Sequence, residues 1–461
     1  MLKVGSQWPV VQLRSAHATP TLFLFFAPMK VFKFGGASVS TVERIKNVGK
    51  ILKKYEGEQV LIVVSAMGKT TNALEKIAEA FYIRKKEEAL RLFDEIKQDH
   101  LKMMGELQTS EANGPSGNTH SPFTTHHSLS DFFTEVEWLL HDKPVRSFDY
   151  YYDQIVCIGE MLSSVIVSNY LNASGIQNTW IDVRDVLRTD DNFRDAKIDW
   201  NISAQKVDEA VQPLFSNANV VLTQGFIGAT DENESTTLGR EGSDYSAAVF
   251  ANLLNAESQT IWKDVQGVMN ADPKLYAEAQ WIKELNYNEV IEMAYYGAQV
   301  IHPKTIKPLQ NKSIPLYVKS FIHPDAEGTC IHNQRVSNLP PIIVYKHDQV
   351  LVQLSSKDFS FVGEGLTAEV YRIFQSLKFR PNLIQSAAIS LLCAIDNRAE
   401  KVEAFALHAA EHFDVTVEKN LTLLTVRHYN KSIVEKLTGN AKVVLQQQTP
   451  ETVQLLLEKQ Q

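Results

Sequence analysis

Residues 29–38 read MKVFKFGGAS. Val31–Phe34 is a short apolar run with β-forming residues, and two glycines follow it at once. A Gly-Gly pair directly after a strand lets backbone N–H groups approach an anion closely. Ser38, Ser40 and Thr41 are good helix caps, and the spacing predicts a helix over Val42–Lys54. A helix N-terminus there adds positive potential for a phosphate. Lys33, just before the glycines, is placed to reach a transferring phosphoryl group. Taken alone, the same residues also fit a tight turn beside a surface lysine.

The strand–loop–helix unit recurs along the chain. Candidate strands are Val31–Phe34, Gln59–Ser65, Thr179–Val183, Val220–Gln224, Thr260–Asp264 and Leu316–Ser320. Candidate helices are Val42–Lys54, Asn72–Ala80, Glu160–Leu171, Asp244–Leu254 and Asn288–Val300. This alternation predicts an α/β fold with a mostly parallel central sheet covered by helices. Ligands in such folds sit at the carboxyl ends of the strands, so the loops there are where chemistry is expected.

The chain has 461 residues, which at about 150 per domain suggests two to four domains. Apolar residues make up 44% and charged residues 22%, an ordinary globular balance that excludes disorder over the whole length. With 46 basic and 54 acidic side chains the net charge is −8, which argues against a broad nucleic-acid surface. Cys157, Cys330 and Cys393 lie too far apart for a disulfide scaffold or a metal finger, and fit a reducing, cytoplasmic setting. No run approaches about 20 apolar residues, so no membrane span is expected. Residues 1–28 carry no convincing signal peptide and read as an unstructured extension. Residues 108–128, rich in Ser, Thr, Gly and Pro, read as a surface loop. Its His120, His126 and His127 lack accompanying ligands, so no metal site is assigned to them. Turn residues and the Pro340-Pro341 pair mark a boundary near 335. Beyond it the order βαββαβ predicts a ferredoxin-like unit, partly repeated in the tail.

Three further loops and one helix carry candidate chemistry. VVSAMGKTT at 63–71 ends like a P-loop, but the glycine that motif requires five residues before Gly68 is Val63, so the Walker reading fails. Ser65 and Thr71 remain hydroxyl groups suited to a polar substrate. In LGREGSDYSA, Arg240 offers a planar fork for a carboxylate, and Ser243 and Asp244 begin a helix. Glu160, in CIGEMLSS, lies on an otherwise apolar helix. A carboxylate there needs a partner, either a substrate ammonium or a structural Lys or Arg. In IWKDVQGVMNADPKLY, Asp264, Gly267 and Lys274 make a turn-rich loop that could meet a nucleotide.

Together KFGGAS, VVSAMGKTT, CIGEMLSS, TQGFIG, GREGSDYSA, WKDVQGV…DP, YYGAQVIHPKTI and VKSFIHPDAEGT stand in one order. That order resembles the aspartate kinases from about Met29 to the C-terminus. The resemblance implies a monofunctional enzyme: an amino-acid-kinase α/β sandwich over 29–335, then two ferredoxin-like ACT units, the first at 347–419 and the second, degenerate one at 341–346 plus 420–461. It implies phosphorylation of the L-aspartate β-carboxylate by ATP, the entry to lysine, threonine and methionine biosynthesis. Alternatives kept open are a kinase for another amino acid, such as glutamate, and an inactive amino-acid-sensing partner.

The resemblance also implies roles. Lys33 and Asp244 would be catalytic; Ser65, Ala66, Thr71, Glu160, Phe226, Arg240 and Ser243 would bind substrate. Lys33, Gly35, Gly36, Lys263, Asp264, Met269, Lys274 and Gln299 would bind ATP. Mg²⁺ would ride on the phosphates, since no carboxylate cage is evident. Ala37, Lys263, Met269 and Gln299 depart from the family pattern, the last three on the nucleotide side. In the regulatory part, Ser360, Gly363, Gly365 and Asn382 are candidate contacts for a lysine or threonine effector. Asn382 and Ala387-Ala388 replace the anionic partners of lysine-sensitive members, which implies weak or altered regulation by lysine. A homodimer through the ACT units is expected.

Overall fold

The computed structural model describes residues 28–112, 128–298 and 300–458. Residues 1–27, the three histidines of the 108–128 segment and Gln299 lie outside the described residues.

The first of two large sheets has eight strands in the order Thr179–Trp180, Val220–Gln224, Gln59–Val64, Met29–Phe34, Ser258–Lys263, Leu316–Ser320, Thr329–His332 and Glu284–Asn286. All neighbours are parallel except Leu316–Ser320 and Thr329–His332. Gln59–Val64, QVLIVV, is buried along almost its whole length. This continuous apolar run is what a parallel strand covered on both faces requires. Helix Val42–Lys53 begins at Thr41, whose side chain accepts from the Arg44 N–H, and ends with Lys50 and Lys53 facing the negative end of its dipole. Helices Ile158–Ala173 and Gly242–Leu253 are apolar nearly all round and run through the core.

The second sheet is antiparallel and six-stranded: Pro381–Ser386, Ser390–Asp396, Ile342–Ser356, Phe413–Arg427, Thr452–Glu458 and Val443–Gln448. Helices Glu364–Ser376 and Ala399–Ala409 share an apolar core with one half of this sheet, around Val352, Phe374 and Phe405. Helix Lys431–Thr438 packs on the other half, whose core also takes in Ala271 and Tyr276 from the first unit.

Several expectations change. Helix Lys86–Ala112 runs into the segment expected to be a loop, so residues 108–112 are helical. The helix expected over 288–300 ends at Tyr296, because Gly297 turns left-handed with φ 112°. Helices Leu129–His141, Phe148–Val156, Trp200–Ala210 and Pro303–Lys312 had no sequence counterpart. Where the ferredoxin-like order implies short strands, two 15-residue strands, Ile342–Ser356 and Phe413–Arg427, run through both halves of the second sheet. The stretch Phe148–Ala173 is, by length and composition, apolar enough to cross a membrane, contrary to expectation, but 94% of its most apolar window is buried inside the protein. Its hydropathy comes from being a core element.

A buried ion pair ties the two sheets together. Arg427, the last residue of its strand, donates from Nε to Glu289 Oε1 at 2.6 Å and from Nη2 to Glu289 Oε2 at 3.0 Å. Glu289 begins helix Tyr287–Tyr296 in the first unit, and His428 Nε2 lies 3.0 Å from its Oε2. Burial alone would raise the Glu289 carboxyl, but hydrogen bonds from His428 and Arg427 outweigh it and hold it at about 2. Ionised Glu289 therefore contributes stability above its ordinary pKa of 4.5, and that contribution is lost as pH falls toward 2. Arg427→Ala leaves a buried carboxylate without its main partner and should lower unfolding stability by about 3–5 kcal/mol. Urea unfolding between pH 3 and 7 checks this: the loss should be largest at neutral pH and shrink in acid. Equal midpoints for the two proteins at pH 7 would contradict it.

Candidate active site

The carboxyl ends of strands Met29–Phe34, Gln59–Val64 and Val220–Gln224 open onto a cleft of about 480 Å³. Gly36 follows the first strand, and a Cβ there would come within 2.5 Å of the Ala66 carbonyl oxygen, so only glycine permits the loops to close. Gly68 N–H donates to Gly36 O at 3.0 Å and locks this contact. Helix Thr70–Tyr82 brings Thr71 and Glu75 to the cleft, and helix Phe148–Val156 brings Tyr152. Helix Ile158–Ala173 brings Glu160 in its first turn. Helix Gly242–Leu253 brings Ser243 and Asp244, after the exposed loop residue Arg240. Arg194, Phe226 and Glu241 all line the cleft with left-handed φ values of 70°, 70° and 54°. Such strain in bulky residues gathers at functional sites.

The charges are organised around one buried pair. Lys33 Nζ lies 2.6 Å from Asp244 Oδ1, with only 12% and 5% of the two side chains exposed. Lys263 Nζ approaches Asp244 Oδ2 at 3.8 Å and donates to the Val300 carbonyl at 2.8 Å. Burial would raise the Asp244 carboxyl, but the ammonium groups of Lys33 and Lys263 reverse this and lower it. One carboxylate between two ammonium groups leaves positive charge for an incoming anion.

Glu160 is in the opposite state. It is buried at 3% exposure and no lysine or arginine bonds it. Its Oε1 accepts from the Ala66 N–H at 3.2 Å, and its Oε2 has no partner. Burial pushes its carboxyl up to about 8, and the Ala66 N–H only partly opposes this. Arg240 makes no hydrogen bond or ion pair among the described residues. The cleft thus offers a buried carboxylate oxygen for a cation, a free guanidinium for a carboxylate, and a lysine for a phosphoryl group.

Residues 28–320 match the amino acid kinase family. The lysine-sensitive aspartokinase 3 of Escherichia coli K12 is 30% identical over 369 residues, spanning 79% of this chain and 78% of that protein. The chain belongs to the amino acid kinase family, among its aspartokinases. Aspartokinase 2, chloroplastic, of Arabidopsis thaliana is 29% identical over 421 residues, 89% of this chain and 74% of the relative. The crystal structure of E. coli aspartokinase III in complex with aspartate and ADP superposes with a TM-score of 0.75 at 26% identity, covering 93% of this chain and 96% of that one. The α/β sandwich followed by an antiparallel sheet is therefore the architecture shared with that aspartokinase.

Of the residues expected from the sequence, Lys33, Gly36, Ser65, Ala66, Thr71, Glu160, Phe226, Arg240, Ser243 and Asp244 line this one cleft. Gly35 adjoins it, since a Cβ there would lie 3.3 Å from Lys33 Nζ. Lys263 reaches it through Asp244. Asp264, Met269 and Lys274 do not line it. The Asp264 carboxylate is bonded to Arg44, Met269 bridges to Trp281, and Lys274 is exposed. Glu75, Tyr152, Arg194 and Thr237 line the cleft but had no sequence signal: Glu75 lies one turn beyond the VVSAMGKTT motif, and the others lie outside any motif. The effector candidates fall on the second sheet, on one of its helices and on the loop between them. Gly363 caps helix Glu364–Ser376, Gly365 lies in its first turn, and Ser360 N–H donates to Asp358 at 3.0 Å. Asn382 is fully engaged: its Nδ2 donates to Gln349 at 2.6 Å and Asp396 at 2.8 Å, and its Oδ1 accepts from Lys346 at 2.6 Å.

A carboxyl raised to about 8 makes the folded free protein hold a proton that the unfolded chain releases near 4.5. Stability from this group is full below 4.5 and is lost as pH climbs toward 8. Glu160→Gln removes that loss, so the variant should gain on the order of 2 kcal/mol relative to wild type between pH 5 and pH 8. Ligand-free denaturation across that range checks it, and parallel stability–pH curves would contradict it.

Proposed function

We propose that this cleft transfers the γ-phosphoryl group of ATP to the β-carboxylate of L-aspartate, yielding 4-phospho-L-aspartate and ADP. The carrying observation is the unpartnered Glu160 Oε2, buried in the same cleft as the Lys33–Asp244 pair. A substrate α-ammonium supplies the missing partner and returns Glu160 to its ionised form. Arg240 takes the α-carboxylate, and Ser65, Ala66, Thr71, Phe226 and Ser243 shape the space between. The side-chain carboxylate then faces Lys33.

A β-carboxylate is ionised at pH 7 from its reference pKa of about 3.9, so it needs no general base. Its oxygen bonds to the γ-phosphorus as the bond to the bridging oxygen breaks, and ADP departs with that electron pair. The protein's task is alignment and charge neutralisation. Lys33 meets the equatorial phosphoryl oxygens, with Gly35 and Gly36 giving backbone N–H groups close approach. Asp244 holds Lys33 extended, and Lys263 adds positive charge on the nucleotide side. Asp264, Met269, Lys274 and Gln299 remain candidates for the more distant parts of ATP. Mg²⁺ bound with the nucleotide phosphates would supply further charge neutralisation beside Lys33.

The reading puts the reaction at the entry to lysine, threonine and methionine synthesis, and the three free cysteines suit a reducing compartment such as the cytoplasm. Phe359 and Phe361, 80% and 79% exposed on the regulatory unit, suit a homodimer contact there.

An aspartyl-hydroxamate assay with ATP and Mg²⁺ tests the reading. Wild type should form hydroxamate, Lys33→Ala should lose at least about 100-fold in kcat, and Arg240→Ala should chiefly raise KM for aspartate. Wild type without aspartate-dependent product would overturn it.

Regulation is the second part of the proposal. E. coli aspartokinase III has been solved in complex with lysine and aspartate. Here the Asn382 side chain is saturated by Lys346, Gln349 and Asp396, so an internal ammonium already occupies its surroundings. Millimolar lysine should inhibit the kinase by less than about half; strong inhibition by lysine, with threonine assayed separately, would contradict this.

A further inference from the structure

Arg194 is the feature of the cleft that the reaction as described leaves unused. It lies in TDDNFRDAK, residues 189–197, where no motif points to chemistry. Its backbone is left-handed at φ 70°, a conformation that favours glycine. The chain nevertheless places the longest cationic side chain there.

Two buried contacts enforce that placement. The Arg194 N–H donates to Asp153 Oδ2 at 2.9 Å. Asp153 is fully buried and also receives the Thr237 N–H at 2.8 Å and hydroxyl at 2.7 Å, and Thr237 lines the cleft. The loop that carries Arg194 abuts the loop that carries Arg240. Gly239 has φ 73°, and a Cβ on it would lie 2.7 Å from Asp195 Oδ1 and 3.2 Å from the Arg194 carbonyl oxygen. Lys304 fastens the same junction, donating to Asp195 at 3.0 Å and to the Leu238 carbonyl at 2.9 Å. Arg194 and Arg240 therefore border one cleft by construction.

The Arg194 side chain is held but not consumed. Its guanidinium carbon stands 4.4 Å from the Tyr152 ring centroid, a cation–π contact with another cleft residue. Nη1 donates to Asp149 at 3.0 Å, and both side chains of that pair are about half exposed, at 47% and 54%. Nε and Nη2 have no acceptor among the described residues. That edge is the one with which a guanidinium grips a carboxylate through two parallel hydrogen bonds. Solvent screens the Asp149 pair, so positive potential remains at this side of the cleft.

We propose that Arg194 is a substrate-specificity residue, whose guanidinium joins Arg240 in receiving the α-carboxylate of the amino-dicarboxylate substrate. This deepens the aspartate kinase reading and rests on it. The attacking carboxylate must be left to Lys33 and the phosphoryl group, so two guanidinium groups at the opposite side discriminate which carboxylate enters first. They also reject substrates that are neutral at that position, because an unanswered guanidinium pair loses its partner on desolvation.

The experiment measures steady-state kinetics for L-aspartate and for its α-amide, which keeps the side-chain carboxylate and the amine, in wild type, Arg194→Ala, Arg194→Gly and Arg194→Lys. Arg194→Ala should raise KM for aspartate about tenfold, with kcat and KM for ATP within about twofold, and cut the preference for aspartate over the α-amide at least fivefold. Arg194→Lys should restore part of that preference. Arg194→Gly suits the left-handed backbone, so its thermal midpoint should equal or exceed wild type while its KM rises as in the alanine variant. That outcome separates recognition from folding. Unchanged KM and unchanged preference in both the alanine and glycine variants would overturn the proposal, as would a fall in kcat at constant KM. A wild type that turns over no aspartate defeats the functional reading instead. Equilibrium dialysis with radiolabelled aspartate then still reads Arg194: weaker binding in the variants supports the proposal, and equal binding overturns it.

Discussion

The contact between Lys33 and Asp244 sets the terms for everything around it. Lys33 belongs to a central strand of the parallel sheet and Asp244 to the first turn of a helix packed behind it. Both side chains are almost fully buried, at 12% and 5% exposure. A lone charge there would be costly, and removing either partner leaves the other stranded. The strand, the Gly35-Gly36 loop and the helix start are thus fixed relative to one another by an electrostatic requirement as well as by packing. Lys263, from the adjacent strand, makes the cluster net positive, which suits an anion arriving at the strand ends.

Two carboxylates a short way apart in one cleft are driven to opposite states. Asp244 is flanked by ammonium groups and held ionised; Glu160 is buried without a cation and held protonated until one arrives. Environments that push two acids apart assign their roles. In the proposed reaction Asp244 would organise the phosphate side, and Glu160 would meet the amine. A small zwitterionic acid is the ligand that answers Glu160 and Arg240 together, and its side-chain carboxylate is then left facing Lys33.

The parts of this arrangement legible in the sequence are those where local chemistry and backbone geometry coincide. Strand, glycine pair and cap at 31–41 could be read directly because each residue obeys its own propensity. Glu160 stood out as a charge on an apolar helix. The rest depends on tertiary context. Tyr152 and Arg194 lie on elements with no motif and reach the cleft only because of how those elements pack. Arg194 even contradicts its backbone preference. In the regulatory sheet, polar His347-Asp348 looks like a break between strands. The chain instead passes through a register shift, with Asp348 at φ 55°, and Asn420 at φ 63° does the same in the partner strand. Local sequence reads such bulges as ends, whereas the hydrogen-bond ladder runs through them. Pro303–Lys312 escaped notice for a similar reason: two prolines, at its first position and inside it, mask a helix that tertiary packing sustains.

The two sheets meet through Arg427 and Glu289 at the start of helix Tyr287–Tyr296. The chain beyond that helix leads to Val300, which holds Lys263, and to His302, whose N–H donates to Glu241 at the cleft at 3.0 Å. The antiparallel unit is therefore anchored on a segment that continues to the cleft. The proposed chemistry passes a phosphoryl group from ATP to a carboxylate already ionised, with Glu160 and Arg240 to position it and Lys33 to neutralise charge. Phosphorus NMR of the enzyme with ATP, Mg²⁺ and aspartate tests it most directly. An acyl-phosphate resonance should grow with ADP, one for one, and vanish on adding hydroxylamine. ADP appearing with inorganic phosphate alone, or no ADP that depends on aspartate, would contradict the account.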